Sequence, residues 1–196
     1  MMKLLYTKRS PYARKVRVLA LEKDIKLDLV EEDLAQKSER LIKANPLGKI
    51  PALLLDSGET ICDSPVICEY LDALKGPALI PPEGPDRFKV LTLASIADGL
   101  MDIAVAAYLE KVRHPDNSNT AFIKNQEDGV RRTLALLETR LGELQKLSLA
   151  SIAVACAVAY VNFRLPHAGP AHGHPKLAAW LEEFSRRPSM QQTQPS

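Results

Sequence analysis

An eleven-residue run near the middle of the chain, KGPALIPPEGP at positions 75–85, limits what the residues on either side can build. It holds four prolines and two glycines. Proline lacks a backbone N–H and fixes φ, so neither a continuous helix nor a central strand can pass through such a run. A long surface loop inside one domain is the alternative, but the flanks differ in character. Short apolar runs alternate with helical patterns before it, and no convincing strand follows it. The expected organisation is a domain over 1–75, a linker over 76–85 and a second domain over 86–196.

The first part reads β-α-β-α-β-β-α. KLLY at Lys3–Tyr6 predicts a strand. Ser10-Pro11 opens a helix, with proline at its first position. Over Ala13–Lys23, Val16, Leu19 and Ala20 form one face of that helix, with Arg14, Lys15 and Arg17 spread around the others. LDLVE at Leu27–Glu31 predicts a second strand, and the crossover suits a βαβ unit. A short helix is expected over Ser38–Lys43. Asn45-Pro46 and Gly48 signal a turn, Ala52–Leu55 and Glu59–Cys62 a hairpin closed by Asp56-Ser57-Gly58. Asp63-Ser64-Pro65 then starts a helix bearing Ile67, Tyr70, Leu71 and Leu74.

The second part predicts four helices, over Arg87–Val112, Ala121–Gln145, Leu147–Leu165 and Pro175–Arg186. Val130, Leu134, Leu137 and Leu141 mark one stripe of the second. The third (IAVACAVAYV) is apolar nearly all round and is expected at the centre of a bundle, capped by Ser148 and Ser151. The tail SMQQTQPS is expected to fray.

A net charge of +2 across 196 residues gives no case for nucleic acid or an anionic membrane as partner. The three cysteines Cys62, Cys68 and Cys156 lack CxxC spacing and sit in apolar runs, which predicts buried free thiols in a reducing compartment. The N-terminus has too short an apolar run for a signal peptide, and Leu149–Val161 is too short to span a bilayer. The expectation is a soluble cytoplasmic protein.

Several residues are candidates for chemistry. Ser10 is either a plain N-cap or a hydroxyl beside an anion such as a thiolate, since unpaired N–H groups crowd a helix N-terminus. A serine protease-like role lacks a base, because every histidine lies beyond residue 113. Lys8, Arg9, Arg14, Lys15 and Arg17 are a basic cluster at the same turn, read as a solvated face or an attractant for an anion. Pro51 opens a strand and is a candidate for the cis form, with the Ile50 backbone as an edge for an extended peptide. Asp63 and Ser64 stand where a helix N-terminus attracts a carboxylate. The bland alternative is a hairpin followed by a well-capped helix. His167, His172 and His174 fall in one loop without enough further ligands for a metal site, and none is expected.

SPYARKVR at Ser10–Arg17, NPLGKIPAL at Asn45–Leu53, DSPVICEYLD at Asp63–Asp72 and LSLASIAVACAVAY at Leu147–Tyr160 together resemble the glutathione S-transferase superfamily, in particular bacterial members with serine at the active position. The resemblance runs over nearly the whole chain. It implies an α/β thioredoxin-like N-terminal domain, an all-α C-terminal domain and a homodimer. It further implies glutathione as co-substrate, no other cofactor, and no nucleic-acid or membrane partner. By this resemblance Ser10 sits against the glutathione sulfur and Ile50, with Pro51, pairs with the cysteinyl part. Asp63 and Ser64 hold the γ-glutamyl end, Lys37 or Lys49 lies near the glycyl carboxylate, and Asp98 reaches across the dimer. Tyr12 and Tyr108 line the site of a small hydrophobic electrophile. The implied activity is conjugation, or a related reaction such as peroxide reduction, with a non-catalytic binding or interaction module as alternative. Family members often carry aspartate where Ser151 stands, and a longer connection than Gln145–Ser148.

Overall fold

The computed structural model describes residues 1–195. The chain forms two compact units, residues 1–82 with 187–196, and residues 83–186. The first contains β1 (Lys3–Tyr6), α1 (Pro11–Glu22), β2 (Asp28–Glu31), α2 (Glu39–Ala44), β3 (Ala52–Leu54), β4 (Thr60–Ile61) and α3 (Ser64–Leu74), in the expected order. The sheet runs β2-β1-β3-β4. β1 pairs parallel with β2, as a helical crossover requires, and the β3–β4 hairpin adds antiparallel strands. Leu4, Leu5 and Leu53 are wholly buried, so the central strands are covered on both faces. Ile67 and Leu71 of α3 are buried, as their spacing predicts.

Below α3 sits a buried ion pair. The Lys23 ammonium donates to the Asp72 carboxylate at 2.7 Å and to the carbonyls of Asp72 and Pro77 at 2.9 and 2.8 Å. The carboxylate also accepts the N–H groups of Leu79 and Ile80. The proline-rich run is thus tied down at its start.

The second unit contains α4 (Gly84–Arg113), α5 (Thr120–Thr139), α6 (Leu149–Arg164) and α7 (Pro175–Ser185). α4 packs on α5 and α6. It is long and apolar enough to cross a bilayer by length and composition, a test that a core helix also passes. Leu93, Ala97, Leu100, Met101 and Ala104 are its buried residues. α6 is buried over nearly all of Leu149–Val161, as its all-round apolar sequence predicts, and reaches the surface in its last turn. Its cap is reciprocal: Ser148 Oγ accepts the Ser151 N–H at 3.2 Å and Ser151 Oγ accepts the Ser148 N–H at 2.9 Å. Serine at 151 therefore completes the capping box with a hydroxyl.

α5 is shorter than its stripe predicts. It stops at Thr139, and a 3-10 turn over Leu141–Leu144 replaces the expected last turns. Thr139 Oγ1 donates to the Leu136 carbonyl, and Arg140 bonds Glu143 through two nitrogens, which favours the tighter turn. The connection before α6 is correspondingly longer than Gln145–Ser148.

The C-terminal segment departs most from expectation. α8 (Pro188–Gln191) forms where fraying is predicted, and Ser189, Met190 and Thr193 are buried; Ser196 lies outside the described residues. This segment packs with the first unit, against α1. Arg14 donates to the Met190 carbonyl at 3.1 Å, and Arg187 bonds Glu22 through two nitrogens at 2.8 Å. The hydrogen bond from Arg187 holds the Glu22 carboxyl below its ordinary value, against an opposing push from burial. The unit boundaries accordingly differ from 1–75, 76–85 and 86–196: residues 76–82 and 187–196 group with the first unit.

Candidate functional site

Strand register gathers the candidate residues of the first unit. Leu5 stands opposite Ala52, so one further step brings Tyr6 level with Pro51. Leu53 stands opposite Ile61, which brings Asp63 to the same level. Tyr6 pairs with Glu31 on the other side. The loop ending in Ser10, the loop carrying Lys49 and Ile50, the turn carrying Lys37 and the start of α3 at Asp63–Ser64 therefore meet at one end of the sheet. α1 and α3 both begin there, so two helix N-termini contribute positive potential at that end.

Ser10 is the N-cap of α1, and its Oγ accepts the Ala13 N–H at 3.1 Å. A hydroxyl has one proton and two lone pairs, so this bond leaves the proton free to be donated to an anion. Capping and anion binding are thus compatible at one side chain.

The 45–51 loop is built from Asn45, which is 3% exposed. Its side chain accepts the Leu47 N–H at 3.1 Å and donates to the Lys49 carbonyl at 3.0 Å. Gly48 turns the loop at φ +60°, and a Cβ there would stand 2.7 Å from Lys37 Cδ. Lys37 thus lies over the loop near Lys49, and both are exposed. Glu32, buried, accepts from Ser38 Oγ at 2.7 Å and from Arg40 Nε at 2.9 Å, fixing both ends of the turn that carries Lys37. The Ile50–Pro51 bond is cis, and so is Cys62–Asp63. Asp63 is the N-cap of α3 by position, yet its exposed carboxylate makes no capping bond, while Ser64 is buried.

Tyr12 is half-buried in the first turn of α1. Asp98 and Tyr108 lie on α4 in the second unit, both half-buried. The Tyr108 ring stacks on the Arg164 guanidinium at 4.1 Å.

Three sequence readings need correction. The basic cluster is a solvated face only in part: Lys8 and Arg9 are exposed, but Arg14 and Lys15 are 6% and 1% exposed, and Arg14 is committed to the C-terminal segment. Cys62 is exposed, unlike Cys68 and Cys156. Leu74, expected on the packed face of α3, is 48% exposed. Of the histidines, His167 bonds Glu127 at 2.9 Å, and among the described residues no cluster suits a metal. Sequence reasoning missed Asn45 and Glu32 as braces of the candidate site; only Asn45 carried a signal, its Asn-Pro turn.

Residues 9–74 match the glutathione S-transferase N-terminal domain family and residues 120–183 the C-terminal domain family. The uncharacterized GST-like protein YibF of Escherichia coli is 34% identical over 99% of this chain and 98% of its own length. A glutathione transferase family member from Pseudomonas fluorescens, solved with bound glutathione, is 41% identical with a TM-score of 0.93, covering 100% of both chains. A further structure of such a family member from P. fluorescens holds S-(propanoic acid)-glutathione; it is 40% identical with a TM-score of 0.90, covering 100% of this chain and 98% of the other.

Proposed function

The chain belongs to the glutathione S-transferase family, and from that premise we propose that it activates the thiol of glutathione for attack on a small hydrophobic electrophile. The observation that carries this reading is the Ser10 hydroxyl, fixed at a helix N-terminus with its proton unspent, at the end of the sheet where Lys37, Lys49, Ile50, Pro51, Asp63 and Ser64 also gather. The Pseudomonas proteins that hold glutathione and a glutathione S-conjugate support both the ligand and the sulfur as reacting atom.

Glutathione is an extended anionic tripeptide, and the site offers matching groups. Asp63 and the α3 N-terminus take the γ-glutamyl ammonium and carboxylate. The Ile50 backbone pairs with the cysteinyl part, and Lys37 or Lys49 takes the glycyl carboxylate. Asp98 of a second copy completes the glutamyl end in a homodimer. Tyr12, in the first turn of α1 beside Ser10, lines the electrophile site, and the compartment is the cytoplasm.

The mechanism follows from the thiol. With a free pKa near 8.5, only about 3% is thiolate at pH 7. Lowering that pKa by about two units needs roughly 2.7 kcal/mol of preference for the charged form. A hydrogen bond to a charged acceptor is worth about 1.5–3 kcal/mol, and a helix N-terminus adds about 0.3–1 kcal/mol. Ser10 and α1 together therefore suffice. The thiol proton leaves to solvent, the sulfur lone pair forms the C–S bond, and the electrophile either expels a leaving group or takes up a proton at the neighbouring carbon.

The test is a pH titration of thiolate absorbance for glutathione bound to the wild-type protein and to Ser10→Ala. A bound thiol well below its free value, moving back up in Ser10→Ala, is the expected result. Tight binding with an unshifted thiol refutes activation and favours a carrier. Absence of binding refutes the glutathione site.

A further inference from the structure

Glu32 is a carboxylate buried just beyond the end of β2, its side chain 2% exposed. Its N–H donates to the Tyr6 carbonyl at 2.9 Å, which ties it to the end of the sheet where Ser10 stands. Both of its oxygens are committed. One accepts the Ser38 hydroxyl at 2.7 Å, and the other accepts two guanidinium nitrogens of Arg40 at 2.9 and 2.7 Å. Ser38 Oγ in turn accepts the Leu41 N–H at 3.0 Å, so the N-cap of α2 is fastened to Glu32 through one hydroxyl. A charge taken out of water is costly, and Arg40 and Ser38 offset that cost only while this geometry holds.

The segment held in this way is all surface. Residues 33–37 are exposed, so packing does not fix them. Lys37 immediately precedes Ser38, and its side chain runs over the 45–51 loop. Gly48 is buried beneath it: a Cβ there would stand 2.7 Å from Lys37 Cδ and 2.9 Å from Nζ. The missing side chain at 48 is what leaves room for the ammonium. Among the described residues Lys37 forms no ion pair, although the exposed carboxylates of Asp33 and Glu39 stand within four residues of it. Two separate features, the Glu32 brace and the Gly48 cradle, thus converge on one uncompensated cation. Bracing the turn limits where that cation can reach before a ligand arrives, which leaves less ordering to be done on binding.

We propose that Glu32 is a positioning residue for the carboxylate end of the co-substrate: through Ser38 and Arg40 it holds Lys37 over Gly48, where the ammonium meets the glycyl carboxylate of glutathione. The proposal rests on the reading that glutathione binds at this end of the sheet. It has a buried anion improve the binding of another anion, although by charge alone Glu32 repels one. Neutralising Glu32 leaves Arg40 uncompensated, so charge alone predicts tighter binding of the acid. Loss of position predicts weaker binding. The two effects have opposite signs.

The experiment is calorimetric binding to the full chain of two probes, glutathione and its glycyl amide, which differ in the charge of that end alone. The wild-type protein is expected to bind the acid about fivefold more tightly than the amide, as a well-placed exposed ammonium–carboxylate pair provides. Lys37→Gln is expected to remove that preference. Glu32→Ala is expected to reduce it to below about twofold, and Glu32→Gln, which keeps one oxygen acceptor for Arg40, to a value in between. A preference that rises or is unchanged in Glu32→Ala overturns the proposal, because charge then outweighs position. Equal weakening of both probes in Glu32→Ala also overturns it, showing a role in loop shape alone. Equal binding of acid and amide by the wild-type protein, or an undiminished preference in Lys37→Gln, overturns it and leaves the glutathione site standing. Where Glu32→Ala fails to fold, Glu32→Gln decides by the same signs: a preference below that of the wild-type protein supports the proposal, and one at or above it does not. Failure of the wild-type protein to bind either probe overturns the underlying reading and this inference with it.

Discussion

Replacing Asp72 with alanine should be among the most damaging single changes in the first unit. Lys23 and Asp72 are both almost wholly buried, with side chains 1% and 6% exposed. Each ammonium proton has an acceptor, and the carboxylate also holds the N–H groups of Leu79 and Ile80. Removing the carboxylate strands a buried positive charge, which typically costs about 3–5 kcal/mol. Two backbone donors lose their acceptor as well, but the 77–80 segment can relax toward water, so the total stays near about 4 kcal/mol. Against a whole-protein stability of roughly 5–15 kcal/mol, that is a large share. Lys23→Met should cost less, about 2 kcal/mol, because the remaining carboxylate keeps its two N–H donors. The double variant should fall well short of the sum, with a coupling of about 2 kcal/mol. Urea unfolding followed by far-UV circular dichroism measures all four corners of the cycle. A loss under about 1 kcal/mol for Asp72→Ala, or strict additivity in the double variant, would refute the reasoning.

Asn45→Ala should weaken glutathione binding severalfold while leaving the pKa of the bound thiol unchanged, since Asn45 shapes the loop and the proposed site sets Ser10 against the sulfur; a shifted thiol would contradict that division. Ser151→Ala removes one half of the capping box and should lower stability by about 0.5–2 kcal/mol, read from the urea midpoint. Because Glu22 titrates below its ordinary value when folded, its contribution is present above the unfolded-state pKa and lost as pH falls through the lower folded-state one. Carboxypeptidase should therefore release the C-terminal segment faster as pH drops through that acidic window, and Glu22→Gln should flatten the dependence; identical profiles would count against the Arg187–Glu22 clasp.

What the sequence reveals is governed by how far apart the interacting residues lie. Ser10, and Ser148 with Ser151, announce their helices because a cap is completed within three residues. The β3–β4 hairpin is legible for the same reason. Arg14 is misread because its partners stand 176 and 179 positions away, and no local pattern marks a cation destined for a carbonyl at the far end of the chain. Lys23 and Asp72 meet across 49 residues with the same result. The apolar stripe of α5 continues through Leu141, but side chain to backbone bonds at Thr139 and Arg140 decide where the helix stops. At the candidate site, residue types and order are visible in the sequence. The choice of Asn45 as the brace of its loop emerges only from packing.

The grouping of residues 187–196 with residues 1–82 has a consequence for how the protein is made. A ribosome delivers the chain from its first residue onward, so the strands emerge before residues 83–186 and the segment that covers α1 emerges after them. Residues 83–186 are one uninterrupted run and can complete their packing as soon as they clear the exit tunnel. Arg14, Arg17 and Glu22 must wait until residues 187–192 have been made before they meet Met190, Gln192 and Arg187. The half synthesised first is thus the half finished last. A nascent chain stalled near residue 186 would present α1 without the partners of these three charges.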